Sequence, residues 1–113
     1  MKNLIEKIIA FRDERNWEQF HNIKDLLIGI NMEVGELQEI FLWAQNEQEV
    51  NLTEVKHELA DIFIFLIYIS EKFKINLEEA VLEKIKIHKK HYPIKKSKNK
   101  TIKYNKLNNE QNA

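Results

Sequence analysis

Four acidic residues stand in two matched pairs, Glu33 and Glu36 in EVGELQEIF and Glu58 and Asp61 in EVKHELAD. Three positions apart on a helix, the members of each pair share one face. At about 100° per residue, Glu33 falls within roughly 80° of Leu26, Ile30, Leu37, Ile40, Phe41 and Ala44, inside the apolar stripe of its helix. Glu58 is likewise in register with Val55, Ile62, Phe65 and Ile69. If the two helices form an antiparallel hairpin, the four carboxylates converge. Unit charges about 4 Å apart repel by roughly 4 kcal/mol at an effective dielectric near 20, and burial adds a desolvation cost. Such a group must take up protons or bind cations. Without cysteine or a well-placed histidine pair, a hard oxygen set favours Mg²⁺ or Mn²⁺, and magnesium with open water positions is a site for polyphosphate. The plainer reading is that the acids sit at a wet helix end or pair with Lys24 or Lys84, since E-x-x-E spacings are frequent on solvated helices.

The elements that must position these acids are helices. Leu4, Ile5, Ile8, Ile9 and Phe11 recur at helical spacing over residues 2–15. NWEQFHN interrupts the pattern and offers Asn22 as N-cap for a helix over 23–44. Asn51 with Glu54, and Asn76 with Glu79, have capping-box spacing and open helices over 52–73 and 77–90. The run IFIFLIYI at 62–69 is continued on both sides without a breaker, which makes it a buried helix rather than a strand. A helix apolar all round needs cover on every side. Three partners in so short a chain do not supply it, so the sequence predicts a homo-oligomer.

Composition agrees with an all-α domain. The chain has 113 residues, with two glycines and one proline. That length suits one domain, and the few breakers disfavour a many-stranded fold. Lys+Arg and Asp+Glu are both 18, so overall charge identifies neither a nucleic-acid polymer nor a membrane as partner. The absence of cysteine fits a reducing cytosol. The N-terminal apolar run is broken by Glu6 and Lys7, too early for a signal-peptide core. The eight-residue run at 62–69 is too short to span a bilayer. A cytoplasmic protein is expected.

Residues 1–93 read as the folded domain and 94–113 as a basic tail carrying Lys95, Lys96, Lys98, Lys100, Lys103 and Lys106. The tail has two readings, a mobile solubilising end or a segment that closes over an anionic ligand through Lys103 and Tyr104.

E-x-x-E, a gap of 21 residues, then E-x-x-D resembles the signature of the all-α nucleoside triphosphate pyrophosphohydrolases, the MazG-like superfamily. FRDERNWEQFHNIKDLL at 11–27, EVGELQEIFLW at 33–43, HELADIFIFL at 57–66 and LEEAVLEKIKIHKKHYP at 77–93 are similar to its dCTP pyrophosphatase branch. The resemblance extends over about residues 4–106 and implies a four-helix MazG-like bundle.

It further implies hydrolysis of a nucleoside triphosphate, dCTP or a modified dCTP, to the monophosphate and pyrophosphate. Mg²⁺ would sit on Glu33, Glu36, Glu58 and Asp61, with Glu36 the choice for orienting the attacking water and Glu33 beside it. Trp17 and Trp43 match positions where the family places aromatic residues against the base, and His21 lies in the same block. Lys24, Lys84 and Lys90 are basic where the family is basic and are expected near phosphates. His88 and Phe65 depart from the family's asparagine and tyrosine. The resemblance also implies a tetramer, a dimer being the minimum. Two other classes compete. A carboxylate-bridged di-iron bundle needs two Glu-x-x-His motifs on its helices, and within the expected helices only Glu54-x-x-His57 has that spacing. A noncatalytic helical regulatory or interaction module would keep the fold without turnover.

Overall fold

The computed structural model describes residues 1–111, with side-chain packing through Leu107, so the last two residues of the basic C-terminal segment lie outside the described residues. The helices are α1 (Lys2–Glu14), α2 (Ile23–Leu42), α3 (Leu52–Lys72), α4 (Leu77–His91), α5 (Ile94–Ser97) and α6 (Tyr104–Gln111). Among the described residues there is no strand. The all-α expectation holds, and α2, α3 and α4 begin where the capping asparagines place them. Asn22 accepts from the Asp25 amide at 2.9 Å, Asn51 from Thr53 and Glu54 at 2.9 and 3.3 Å, and Asn76 from Glu79 at 3.1 Å. Each such cap satisfies an orphan amide and is worth about 1 kcal/mol.

The chain divides into two compact units, Met1–Ile75 with α1 to α3 and Asn76–Ala113 with α4 to α6. In the first, α2 and α3 form the principal packed pair and α1 lies against α3. Ile67, 1% exposed, anchors its core together with Leu26, Ile8 and Tyr68. The turn after α1 follows from Asn16, whose φ of 53° is the left-handed conformation that asparagine tolerates. It closes α1 with bonds from the Asn16 amide to the Asp13 carbonyl and from Trp17 to Arg12. Trp17 is thereby set immediately beyond the end of α1.

At Gly29, α2 leaves room for the Phe65 ring of α3. A Cβ at this position would lie 2.5 Å from the Phe65 ring. Gly29→Ala is therefore expected to destabilise the first unit by about 1–3 kcal/mol, the usual cost of overpacking. Chemical denaturation checks this, and a wild-type midpoint would show that the helices separate freely.

In the second unit, Tyr104 stacks on His91 with centroids 4.0 Å apart and meets Tyr92 edge-on at 6.1 Å. These rings join the start of α6 to the end of α4. Beyond Pro93, where the sequence marks a basic tail, α5 and α6 are both formed.

Candidate active site

Carboxylates at matching heights on α2 and α3 meet because the two helices pack side by side along their length. Oxygen atoms of Glu33, Glu36 and Glu58 lie within 4.8 Å of one another. Glu33 and Glu58 are half-buried and Glu36 is exposed. Asp61 stands outside this trio, exposed and one turn further along α3. The structure thus brings together three of the four predicted acids within ligand distance, with the fourth adjoining them.

The trio is short of positive charge. Ion pairs join Arg12 to Asp13 and Glu18, and Arg15 to Glu14. None involves the trio or Lys24. Glu33 Oε2 and Glu58 Oε2 are both buried without a hydrogen-bond partner. When both groups are ionised there is no donor between them, whereas one retained proton supplies one. Proton sharing with Glu58, burial, and the nearness of Glu36 and Asp61 push the Glu33 carboxyl up from its ordinary 4.5 to about 7. A divalent cation would meet the same need, and orphaned carboxylate oxygens at this spacing fit one. No such group of three or more forms around Glu54 and His57 among the described residues. The di-iron arrangement is therefore unsupported.

A pH prediction follows for the metal-free protein. Because the folded state raises the Glu33 pKa, its contribution to stability is full below about 4.5 and is lost as pH rises through about 7. His21, whose pKa is lowered, works in the opposite direction. The informative quantity is thus the Tm of wild type minus that of Glu33→Gln, which is expected to fall between pH 5 and pH 8. Mg²⁺ should raise the wild-type Tm at pH 8 more than at pH 5. A pH-independent difference would show that Glu33 holds no extra proton in the fold.

Beside the trio opens a cavity of about 460 Å³, within the range of small-molecule pockets. Asp61, Ile64, Phe65 and Tyr68 line it from α3, and Lys7, Ile8 and Phe11 from α1. Trp17 and His21 complete it from the connection to α2. Phe11 and Trp17 meet edge to face at 5.6 Å, and the Arg15 guanidinium sits 3.7 Å from the Phe11 centroid. His21 rests against Tyr68 with centroids 4.6 Å apart. Burial, followed by the charges of Arg12 and Lys72, holds the His21 imidazole below its ordinary 6.5, so it is neutral at pH 7. Its Nδ1 is buried without a hydrogen-bond partner. His21 and Tyr68 also wall a second, polar cavity of about 240 Å³ that contains Arg12, which is 5% exposed, and Glu71.

Residues 28–107 match the MazG-like family, a span that includes all four acids and leaves α1 and Trp17 outside it. The chain belongs to the MazG-like family. It is similar to dCTP pyrophosphatase 1 from Bos taurus and from Homo sapiens. Identity to the bovine protein is 35% over 104 residues, covering 86% of this chain and 62% of that protein. For the human protein it is 34% over 104 residues, covering 86% and 61%. The chain thus spans about three-fifths of the length of these relatives. The crystal structure of a pyrophosphatase from Archaeoglobus fulgidus matches with a TM-score of 0.75 at 35% identity, covering 82% of this chain and 92% of that one.

Within this MazG-like chain the other expected site residues are dispersed. Trp17 and His21 line the aromatic cavity. Trp43 caps the end of α2, is 88% exposed and does not line that cavity. Lys24 is exposed in the first turn of α2. Lys84, His88 and Lys90 are exposed on α4, and Lys103 is exposed just before α6. Tyr104 is engaged with His91 and Tyr92. Sequence reasoning missed Lys7, Phe11 and Tyr68. Lys7 and Phe11 are one helical turn apart on α1, and Asp61, Phe65 and Tyr68 follow i, i+4, i+7 on α3, so each set shares a face. The spacing carries that signal, but an apolar residue at helical spacing reads equally well as core. No helix among the described residues is long and apolar enough to cross a membrane.

Proposed function

We propose that the protein is a nucleoside triphosphate pyrophosphohydrolase that converts dCTP or a modified dCTP to the monophosphate and pyrophosphate. The observation that carries this reading is the pair of orphaned buried oxygens on Glu33 and Glu58, beside Glu36 and next to an aromatic cavity that Asp61 borders. Its relatives, named dCTP pyrophosphatase 1, support the same reading.

Glu33, Glu36, Glu58 and Asp61 would hold Mg²⁺, with Mn²⁺ an alternative of the same oxygen preference. When bound, the ion supplies positive charge to offset that developing on the phosphate oxygens. Glu36, the exposed member of the trio, orients a water for attack on the α-phosphorus and accepts its proton. Trp17 and Phe11 form a stacking wall for the base, and neutral His21 offers it a ring nitrogen. The family resemblance assigns Lys24, Lys84 and Lys90 to phosphate contacts; His88 stands where the family has asparagine, and Lys103 and Tyr104 are the tail residues expected to close over an anionic ligand. A cytoplasmic location belongs to this reading, because that compartment holds the nucleoside triphosphate pool.

The same reading includes a homo-oligomer, a tetramer with a dimer as minimum. Leu52, Leu59, Leu66 and Phe73 recur every seven residues along α3 and are all exposed, as are Leu27, Val34 and Phe41 on α2. Apolar rows of this length mark association surfaces.

The test is to incubate the protein with Mg²⁺ and dCTP, 5-methyl-dCTP, dUTP and dTTP, identify the products, and measure its mass in solution by sedimentation. Pyrophosphate with the monophosphate is expected, most efficiently from a cytosine nucleotide. No turnover of any nucleotide would favour the noncatalytic module, and release of inorganic phosphate alone would point to different chemistry. A monomer would remove the oligomer from the reading.

A further inference from the structure

The aromatic cavity is polarised along its length. Lys7 and Asp61 line it, but they do not line the polar cavity beyond, where Arg12 from α1 meets Tyr68 and Glu71 from α3. Positions 7 to 12 on α1 therefore run in step with positions 61 to 71 on α3. Lys7 and Asp61 mark one end of the aromatic cavity, and His21 and Tyr68 mark the other. The Lys7 end is the one beside the carboxylate trio, since Asp61 lies one turn from Glu58 and its charge is felt at Glu33.

Lys7 brings the one lysine or arginine among the residues lining this cavity. It takes part in none of the ion pairs of the described residues, including any with Asp61. Its neighbours Ile8 and Phe11 are apolar walls, so the four-carbon stem can lie along them and carry the ammonium to the rim. A lysine head is a compact charge with three rotatable donors, suited to an oxyanion whose exact position changes during a reaction.

We propose that Lys7 binds the α-phosphate and thereby sets the affinity for both the nucleoside triphosphate and its monophosphate product. This rests on the functional reading above. With the base among the rings and the β- and γ-phosphates towards the carboxylate trio, the α-phosphate passes the Lys7 end of the cavity. Cleavage leaves that phosphate on the nucleoside, so the contact persists in the product. Lys7 then stabilises negative charge on the α-phosphoryl oxygens during attack and slows release of the monophosphate afterwards.

The test compares wild type, Lys7→Met, which keeps an unbranched apolar stem, and Lys7→Arg, which keeps the charge. Binding of dCMP and of deoxycytidine is measured by calorimetry, alongside KM, kcat and the Mg²⁺-induced Tm shift. In Lys7→Met, dCMP binding and kcat/KM are expected to fall about tenfold or more, the usual scale of a charge-assisted hydrogen bond. Deoxycytidine binding and the Mg²⁺ shift should stay unchanged, and Lys7→Arg should recover most of the loss. Unaltered dCMP affinity in Lys7→Met would overturn the proposal, as would a wild type that binds dCMP no better than deoxycytidine. Loss of the Mg²⁺ shift in Lys7→Met would also overturn it, by showing that Lys7 acts through Asp61. Absence of triphosphate turnover in wild type would instead strike the functional reading, while the dCMP titration still decides the role of Lys7.

Discussion

Glu58→Gln is expected to lower kcat by about 10³-fold and, at pH 8 without metal, to raise the Tm. On the proposed function the two effects have opposite signs, the carboxylate serving the reaction at the expense of the fold. A metal site supplies several kcal/mol of charge stabilisation to a phosphoryl reaction, and each 1.36 kcal/mol is about a factor of ten in rate. Glutamine keeps the shape of Glu58 while removing its charge, and its amide offers a donor to the orphaned Glu33 oxygen. Satisfying a buried acceptor and deleting a like charge both favour the folded state. Steady-state kinetics and thermal unfolding on the same preparation decide the matter. Wild-type turnover would remove Glu58 from the site, and a lower Tm would mean that its carboxylate is compensated in the metal-free fold.

Trp17→Ala is expected to reduce kcat/KM by about 5- to 150-fold, mainly through KM, because stacking a base on an aromatic ring is worth about 1–3 kcal/mol. Trp17 is held in place by the turn at Asn16 and by its edge-to-face contact with Phe11. Trp17→Phe should retain most of the activity, since it keeps a ring in the wall. An alanine variant with unchanged KM would show that the base binds elsewhere. Trp43→Ala provides the contrast. Its side chain is 88% exposed and lines no part of the aromatic cavity of its own chain. A loss in Trp43→Ala equal to that in Trp17→Ala would therefore place Trp43 at the pocket of a second copy.

Much of this organisation was legible before any coordinates. The positions of the four long helices followed from apolar periodicity and from Asn22, Asn51 and Asn76, because a cap or an amphipathic stripe depends on residues within one or two turns. The inward placement of Glu33 and Glu58 followed from the same angular count. The aromatic cavity did not. Phe11 and Phe65 read as core, since an apolar residue at helical spacing looks the same whether it meets a neighbouring helix or an open pocket. Trp17 and Trp43 looked equivalent in the sequence, yet one lines the cavity and the other projects from the end of α2.

By itself, the sequence determined that the chain is helical, where its long helices start, and that one acid of each pair, Glu33 and Glu58, faces inward. These are properties of single helices and their caps. Only the tertiary structure decided that Glu33, Glu36 and Glu58 meet within 4.8 Å while Asp61 adjoins them. It likewise decided that Lys7 shares a cavity with Asp61, and that Gly29 makes room for Phe65. The physical reason is that these relations depend on how α1 and α2 are staggered against α3, which is set by side-chain packing between residues far apart in the chain and leaves no imprint on the period of any one helix.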